Sequence, residues 1–256
     1  MTAPQLHPPC SGWQLDLPGP YAPPNVEATM GHQEPSYQDD VYLEIPRNAF
    51  TIRGILLLVS LPSIIWLIWS RTLVVEAWEV GEYPLMLLAS LAIAISVWMV
   101  VIAWRLDISP PRSEPIRFNR VRQRIYAYNF TYRWWNPFER WRVVPVAYDW
   151  SQVRAEGWKK RGATAQGAVI IKWGVVLSIV EPGTNKVIDR FPLSTMGPNE
   201  FAWAYICTYM QQGPSALPPI ESPRDLNDVP EYNLALRLAP KVKWPADMDH
   251  ESRTAP

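Results

Sequence analysis

Two stretches of the chain are apolar on every face. Residues 54–70 read GILLLVSLPSIIWLIWS, seventeen positions without a charge, and apolar character resumes at Leu73, Val74 and Val75 beyond Arg71. Residues 85–104, LMLLASLAIAISVWMVVIAW, give twenty more uncharged positions, with Arg105 immediately after. A membrane-crossing helix needs about 20 apolar residues, whereas the helices of a soluble domain keep a polar stripe. The pattern therefore predicts a transmembrane helical hairpin with spans at about 54–75 and 85–104. Pro62 is expected to kink the first helix, with Ser60 and Ser63 near the carbonyl it frees. Small residues one turn apart, Ser90 with Ala94 and Ala92 with Ser96, suit close helix contact.

The connector at 71–84 carries Glu76, Glu79 and Glu82 against Arg71, while Arg105, Arg112, Arg117, Arg120, Arg122 and Arg124 crowd the far side of the second span. Basic residues stay cytoplasmic, so both termini are placed inside. Trp66, Trp69, Trp78, Trp98 and Trp104 include candidate interface anchors. Neither span holds an internal charge or histidine, which argues for an anchor over a transport path.

Elsewhere the period shortens. Residues 39–45 alternate and stop at Pro46, the pattern of a strand that adds to a sheet. Residues 116–128 read as two strands around a turn at Asn119 and Arg120. Apolar runs follow at 143–147, 168–180 and 187–193, the last two separated by Pro182, Gly183, Thr184 and Asn185. Phe201, Tyr205, Ile206 and Tyr209 then recur at helical spacing from a start at Pro198, Asn199 and Glu200, ending at Gly213 and Pro214. The fold class expected is an α+β membrane protein. Its transmembrane hairpin carries a cytoplasmic antiparallel β domain, pleckstrin-homology-like in element order, closed by one C-terminal helix. The divisions are a Pro-rich cytoplasmic segment at 1–49, the hairpin at 50–105, the domain at 106–217 and a Pro-rich tail at 218–256.

Composition narrows the chemistry. The net charge is zero over 256 residues, so nothing global points to nucleic acid. The 27 prolines crowd the two tails. Cys10 and Cys207 make no disulfide framework and fit a reducing compartment, and no signal-peptide pattern precedes Arg53. His7, His32 and His250 all fall in the tails, which leaves the domain without an imidazole for a metal or a general base. Cys207 has no histidine to activate it. Gly157, Gly162 and Gly167 around Lys159, Lys160 and Arg161 miss the phosphate-loop spacing and read as a flexible loop. Asp149 and Trp150 look like a core anchor. Paired carboxylates for acid–base work are absent, so no enzyme, cofactor or metal is expected.

One run does stand out. Residues 132–142 interleave arginines with aromatics, a composition suited to membrane interfaces and to single-stranded nucleic acid, and their place behind the spans favours lipid or protein contact. The candidate surface is Arg117, Arg120, Arg122, Arg124, Arg133, Trp134, Trp135, Arg140 and Trp141. Each basic residue near an anionic surface contributes about 1 kcal/mol.

Several motifs bear a resemblance: Pro9-Cys10-Ser11-Gly12-Trp13 with Asp16-Leu17-Pro18, Asp40-Val41-Tyr42-Leu43-Glu44, Arg117-Phe118-Asn119-Arg120, and Tyr209-Met210-Gln211-Gln212-Gly213-Pro214. With the two spans, the chain resembles a bacterial family of unknown-function inner-membrane proteins encoded beside type VI secretion genes. The resemblance covers nearly the whole chain and transfers no active site. It implies the bacterial inner membrane and a secreted antibacterial effector as protein partner, bound by an immunity or accessory factor. The alternative is a membrane-anchored lipid- or signal-binding module with a pleckstrin-homology-like domain. Oligomeric state is left open.

Overall fold

Among the described residues, short runs bounded by turns build nine strands, and the two fully apolar runs build a helical hairpin inserted among them. The computed structural model describes residues 3–30, 34–47, 53–163, 169–193, 200–220 and 222–256. Strands β1 (Trp13–Asp16), β2 (Tyr37–Gln38) and β3 (Tyr42–Ile45) come before the hairpin helices α1 (Ile55–Val80) and α2 (Tyr83–Ile108). After them come β4 (Ile116–Asn119), β5 (Arg124–Thr131), β6 (Arg142–Asp149), β7 (Val153–Ala163), β8 (Val169–Val180) and β9 (Val187–Pro192). Helices α3 (Glu200–Gln212), α4 (Leu234–Leu238) and α5 (Ala246–Arg253) complete the order.

One antiparallel sheet runs β1-β7-β8-β9 and the other β2-β3-β4-β5-β6. Their facing sides meet in a shared core. Leu43, Ile45, Ile116, Phe118 and Ile125 come from one sheet, Val153, Val175, Leu177 and Ile179 from the other. Trp203, Ile206, Tyr209 and Met210 of α3 join the same core, with the Trp203 ring 5.4 Å from that of Trp150.

Helices α1 and α2 are antiparallel and joined by Gly81 and Glu82 alone. Gly81 takes φ 77°, the left-handed conformation that a residue with a Cβ adopts at a cost. Its N–H closes on Trp78 O at 3.1 Å and that of Glu82 on Ala77 O at 2.9 Å. The connector expected at 71–84 is thus almost wholly helical, because no glycine interrupts α1 before Gly81. Small side chains, Ser60, Ser70 and Ala77, are buried along the α1 seam. On α2, Ala92 and Ser96 are half-buried, whereas Ser90 and Ala94 face outward. Trp104 donates Nε1–H to Ser60 Oγ at 3.0 Å, and Leu57 donates its N–H to Asp107 Oδ2 at 2.8 Å. Pro62 lies inside a continuous α1. Ser60 Oγ donates to Leu57 O at 2.7 Å, one residue before the carbonyl that Pro62 frees. The outer faces expose Leu58, Val59, Ile65, Ile68, Trp69, Leu87 and Leu88. Both helices are long and apolar enough to cross a membrane.

Three expectations need correction. The strand expected at 39–45 does join a sheet, as β3 beside β4, but the segment before it is part of the body as well: β1 pairs with β7, and Leu6 and Cys10 are buried. The C-terminal tail is folded too, since the Trp244 ring packs against that of Tyr128 at 5.1 Å and α5 covers β4 and β5. His7 and His250 therefore belong to the folded body. His7 bridges to Lys186 and His250 lies in α5. The glycine- and lysine-bearing stretch read as a loop is β7, paired with β8 from Val153↔Ile179 to Ala163↔Val169. Gly157 there permits close approach, since a Cβ would sit 3.3 Å from Leu15 Cγ. His32, Gly167, Pro198 and Asn199 lie outside the described residues.

Candidate functional site

Strand β4 should bury Ile116 and Phe118 and expose Arg117 and Asn119. All four are buried, because α5 lies over the outer face. Arg117, only 2% exposed, donates Nε–H to Glu44 Oε1 at 2.6 Å and Nη1–H to Asp249 Oδ1 at 2.7 Å and to Ser252 Oγ at 2.8 Å. Its guanidinium also stacks over Trp244 at 4.6 Å. Asn119 Nδ2 reaches Ser252 O at 3.1 Å and Thr254 O at 3.0 Å.

The rest of the basic turn is engaged as well. Arg122 donates to Thr254 O at 2.9 Å and Ala255 O at 2.8 Å. Arg124 pairs with Glu251, and with Asp149 at 3.4 Å. Arg120 donates to Asp40 O at 3.3 Å and lies against Gly213. The sequence marks this hairpin as a surface. In the fold it is a socket for the chain's own C-terminus.

The aromatic run behaves differently. Trp141 is buried, held by Nε1–H to Asn136 O at 3.1 Å and by the Arg105 guanidinium 4.4 Å from its ring. Arg105 also donates to Glu139 O at 3.0 Å, which fixes the loop to the last turn of α2. The loop presents Trp134, Trp135 and Phe138 to the outside, Phe138 at 83% exposure, together with Arg140 and with Arg133, which pairs with Glu139 at 3.6 Å. Of the nine candidates, the fold gathers Arg133, Trp134, Trp135 and Arg140 on one exposed loop. Phe138 belongs with them and is legible in the same run.

Sequence reasoning passed over the charged groups that seat the helices. Arg47 is buried and spends its guanidinium on four acceptors: Glu114 O at 2.7 Å, Pro192 O at 3.0 Å, Tyr128 O at 3.1 Å and Asn129 Oδ1 at 2.8 Å. Burial pushes its pKa down to about 10. Arg53 donates to Pro110 O at 3.1 Å and Pro111 O at 2.8 Å, joining the foot of α1 to that of α2. Burial likewise raises the pKa of Glu114 above the usual carboxylate range. These groups line a cavity of about 320 Å³ with Arg112, Ser113 and Arg224. Their only sequence signal is a charge placed just outside an apolar run.

Burial pushes the thiols of Cys10 and Cys207 up to about 12, which keeps them protonated and poorly nucleophilic. Cys10 packs by its backbone N–H, which donates to Glu156 Oε1 at 2.9 Å. Among the described residues no three His, Cys, Asp or Glu side chains cluster to hold a metal.

The motif residues behind the resemblance have structural duties. Trp13 Nε1–H is held by Asp16 at 2.9 Å, Glu44 by Arg117, and Tyr209 donates its hydroxyl to Asp39 O at 2.8 Å. No curated protein and no solved structure matches the chain. It belongs to a family of unknown function, DUF6708, whose model matches residues 93–256, from mid α2 through α5.

Proposed function

We propose that this member of the DUF6708 family is a two-span protein of the bacterial inner membrane with its α+β body and both termini in the cytoplasm. On this reading it binds a type VI secretion effector as an immunity or accessory factor. The observation that carries the membrane placement is the apolar exterior of α1 over residues 55–70 and of α2 over residues 85–104, ending on one side at the Arg47, Arg53 and Arg105 contacts. Side chains such as Leu58, Ile65 and Ile68 are stable there only in an apolar solvent. Basic residues at this end support an inward orientation.

The loop of Trp134, Trp135 and Phe138 supports protein binding, since aromatics and arginine are the residue types that dominate interface energetics. The resemblance in the motifs supplies the secretion context. The test is co-expression with the toxin encoded beside the gene: protection that is lost on Trp135→Ala and Phe138→Ala agrees with the proposal, and unchanged killing in the presence of the intact chain sinks it.

A second reading, a pleckstrin-homology-like lipid- or signal-binding module, draws support from the order of two strand groups, β4-β5-β6 and β7-β8-β9, followed by α3. Binding through Arg120, Arg122 and Arg124 has less support, because the C-terminal residues and Asp40 already occupy them. Charge reversal of these three in the intact chain separates the alternatives. Abolished binding of a water-soluble short-chain anionic lipid by the detergent-solubilised chain, with the fold retained, favours the lipid reading.

A further inference from the structure

Strand β8 carries one apolar stripe along its length. Val175, Leu177 and Ile179 lie within the core, and Val169, Ile171 and Trp173 continue the same face, since alternate residues share a side. These last three are exposed, Val169 at 70%. The reason is that the sheet narrows. On one side β9 stops at Pro192, opposite Val176, and on the other β1 reaches only Trp13, opposite Trp158. Past a last contact from Lys159 N–H to Gly12 O at 2.8 Å, β7 and β8 continue as a two-stranded ribbon, from Lys160↔Lys172 to Ala163↔Val169. A two-stranded ribbon is marginally stable alone in water, so an arm of this kind calls for a surface to lie on.

The chemistry of the arm identifies that surface. Lys159, Lys160, Arg161 and Lys172 are all exposed, and residues 158–163 and 169–173 contain no acid. Lys159 and Arg161 stand opposite Trp173 and Ile171 on the apolar face, while Lys160 and Lys172 stand opposite each other on the reverse face. None of the four joins an ion pair among the described residues. The arm starts at the corner where Arg47 holds Pro192 O and Glu114 O, which is the corner where the chain enters and leaves the helical pair. Apolar side chains flanked by cations match an interface between anionic headgroups and acyl chains. A second copy laid symmetrically on the same face would set these cations against their own kind.

We infer that the β7–β8 arm is a second membrane contact, which lays Val169, Ile171 and Trp173 into the headgroup boundary of an anionic bilayer while Lys159 and Arg161 beside them meet the phosphates and Lys160 and Lys172 on the reverse face add to the positive field. The inference rests on the reading that α1 and α2 span that bilayer.

The test uses the full chain in vesicles with and without anionic phospholipid. A nitroxide is placed on Ile171→Cys, and collision with oxygen, concentrated in lipid, is compared with collision with a water-soluble nickel chelate. Ile65→Cys on α1 reports the span and Ile188→Cys on β9 reports water. The expected result is an Ile171 label that favours oxygen in anionic vesicles. That preference is lost in uncharged vesicles and in the variant carrying Lys159→Glu, Lys160→Glu, Arg161→Glu and Lys172→Glu. An Ile171 label that behaves like the Ile188 label, while the Ile65 label lies in lipid, overturns the arm and leaves the span standing. An Ile65 label in water overturns the span reading itself and the arm with it. Shielding of Ile171 from both probes means that protein covers it, and equal lipid contact in uncharged vesicles removes the anionic headgroup. Either result defeats the inference.

Discussion

Arg117 donates to Glu44 at 2.6 Å across the β3–β4 pair, the two strands between which the entire helical hairpin is inserted. Both side chains are nearly dry, and Asp249 completes the arginine's shell. Removing one partner leaves an uncompensated buried charge. Arg117→Ala is expected to cost about 3–5 kcal/mol of stability. Glu44→Gln, which keeps an acceptor, should cost less. Chemical denaturation of the detergent-solubilised protein measures both, and equal loss in the two variants would argue against the pairing.

Asp107 of α2 accepts the Leu57 N–H in the first turn of α1. A carboxylate there satisfies one of the unpaired helix donors and faces the positive end of the helix dipole. Asp107→Ala should lower stability by about 1–2 kcal/mol, the loss expected for a helix cap. Asp107→Asn should retain more than half of the contribution. Thermal melts in micelles decide the matter.

Alkaline pH should destabilise the body. Burial raises Cys10 and Cys207 from 9.0 to about 12 and Tyr126, Tyr148 and Tyr205 from 10.0 to about 12. Below 9.0 both folded and unfolded chains hold these protons, so these groups give stability no pH dependence there. Above it the unfolded chain releases them first, so stability falls as pH rises from 9.0 toward about 12. Stability measured across this range should slope downward, and less steeply in Cys207→Ala. A flat profile contradicts the burial of these groups.

Gly81 has φ 77° and no atom within 4 Å of where a Cβ would stand. The cost of replacing it is therefore conformational, about 1–2 kcal/mol for a left-handed residue. Gly81→Ala and Gly81→Leu should melt alike. A large difference between them would mean that the position is crowded.

The hairpin helices were legible because their sequence is apolar on all sides, β4 and β5 because two alternating runs flank a polar turn, and β6, β8 and β9 because short apolar runs are bounded by turn residues. Strand β7 was not, since Gly157, Gly162 and the Lys159, Lys160, Arg161 run imitate a loop. Half of that strand leaves the body, so burial imprints only its first half. Outside residues 39–45, the packing of the terminal segments was hidden for another reason. Proline-rich composition implies a solvated chain, yet Leu6, Cys10 and Trp244 are buried by strands distant in sequence. The arginines of the candidate surface were visible as charges, whereas their partners are invisible to local reading. Arg117 meets Glu44 73 residues away and Asp249 132 residues away. The exposed aromatic loop was legible as residues, and only the Arg105 contact fixed its place.

The insertion of α1 and α2 between β3 and β4 also sets an order of biosynthesis. Strands β1, β2 and β3 leave the ribosome first, and neither β7, the partner of β1, nor β4, the partner of β3, exists until the helical pair has been made. Of the early strands only β2 and β3 can pair with each other, so β1 and the free edge of β3 wait while the helices emerge, and the sheets close only after that step. A fragment beginning after α2 lacks three strands and the Glu44 carboxylate. A water-soluble version therefore has to keep both halves, with Arg47 spliced to the segment before β4 through a short turn.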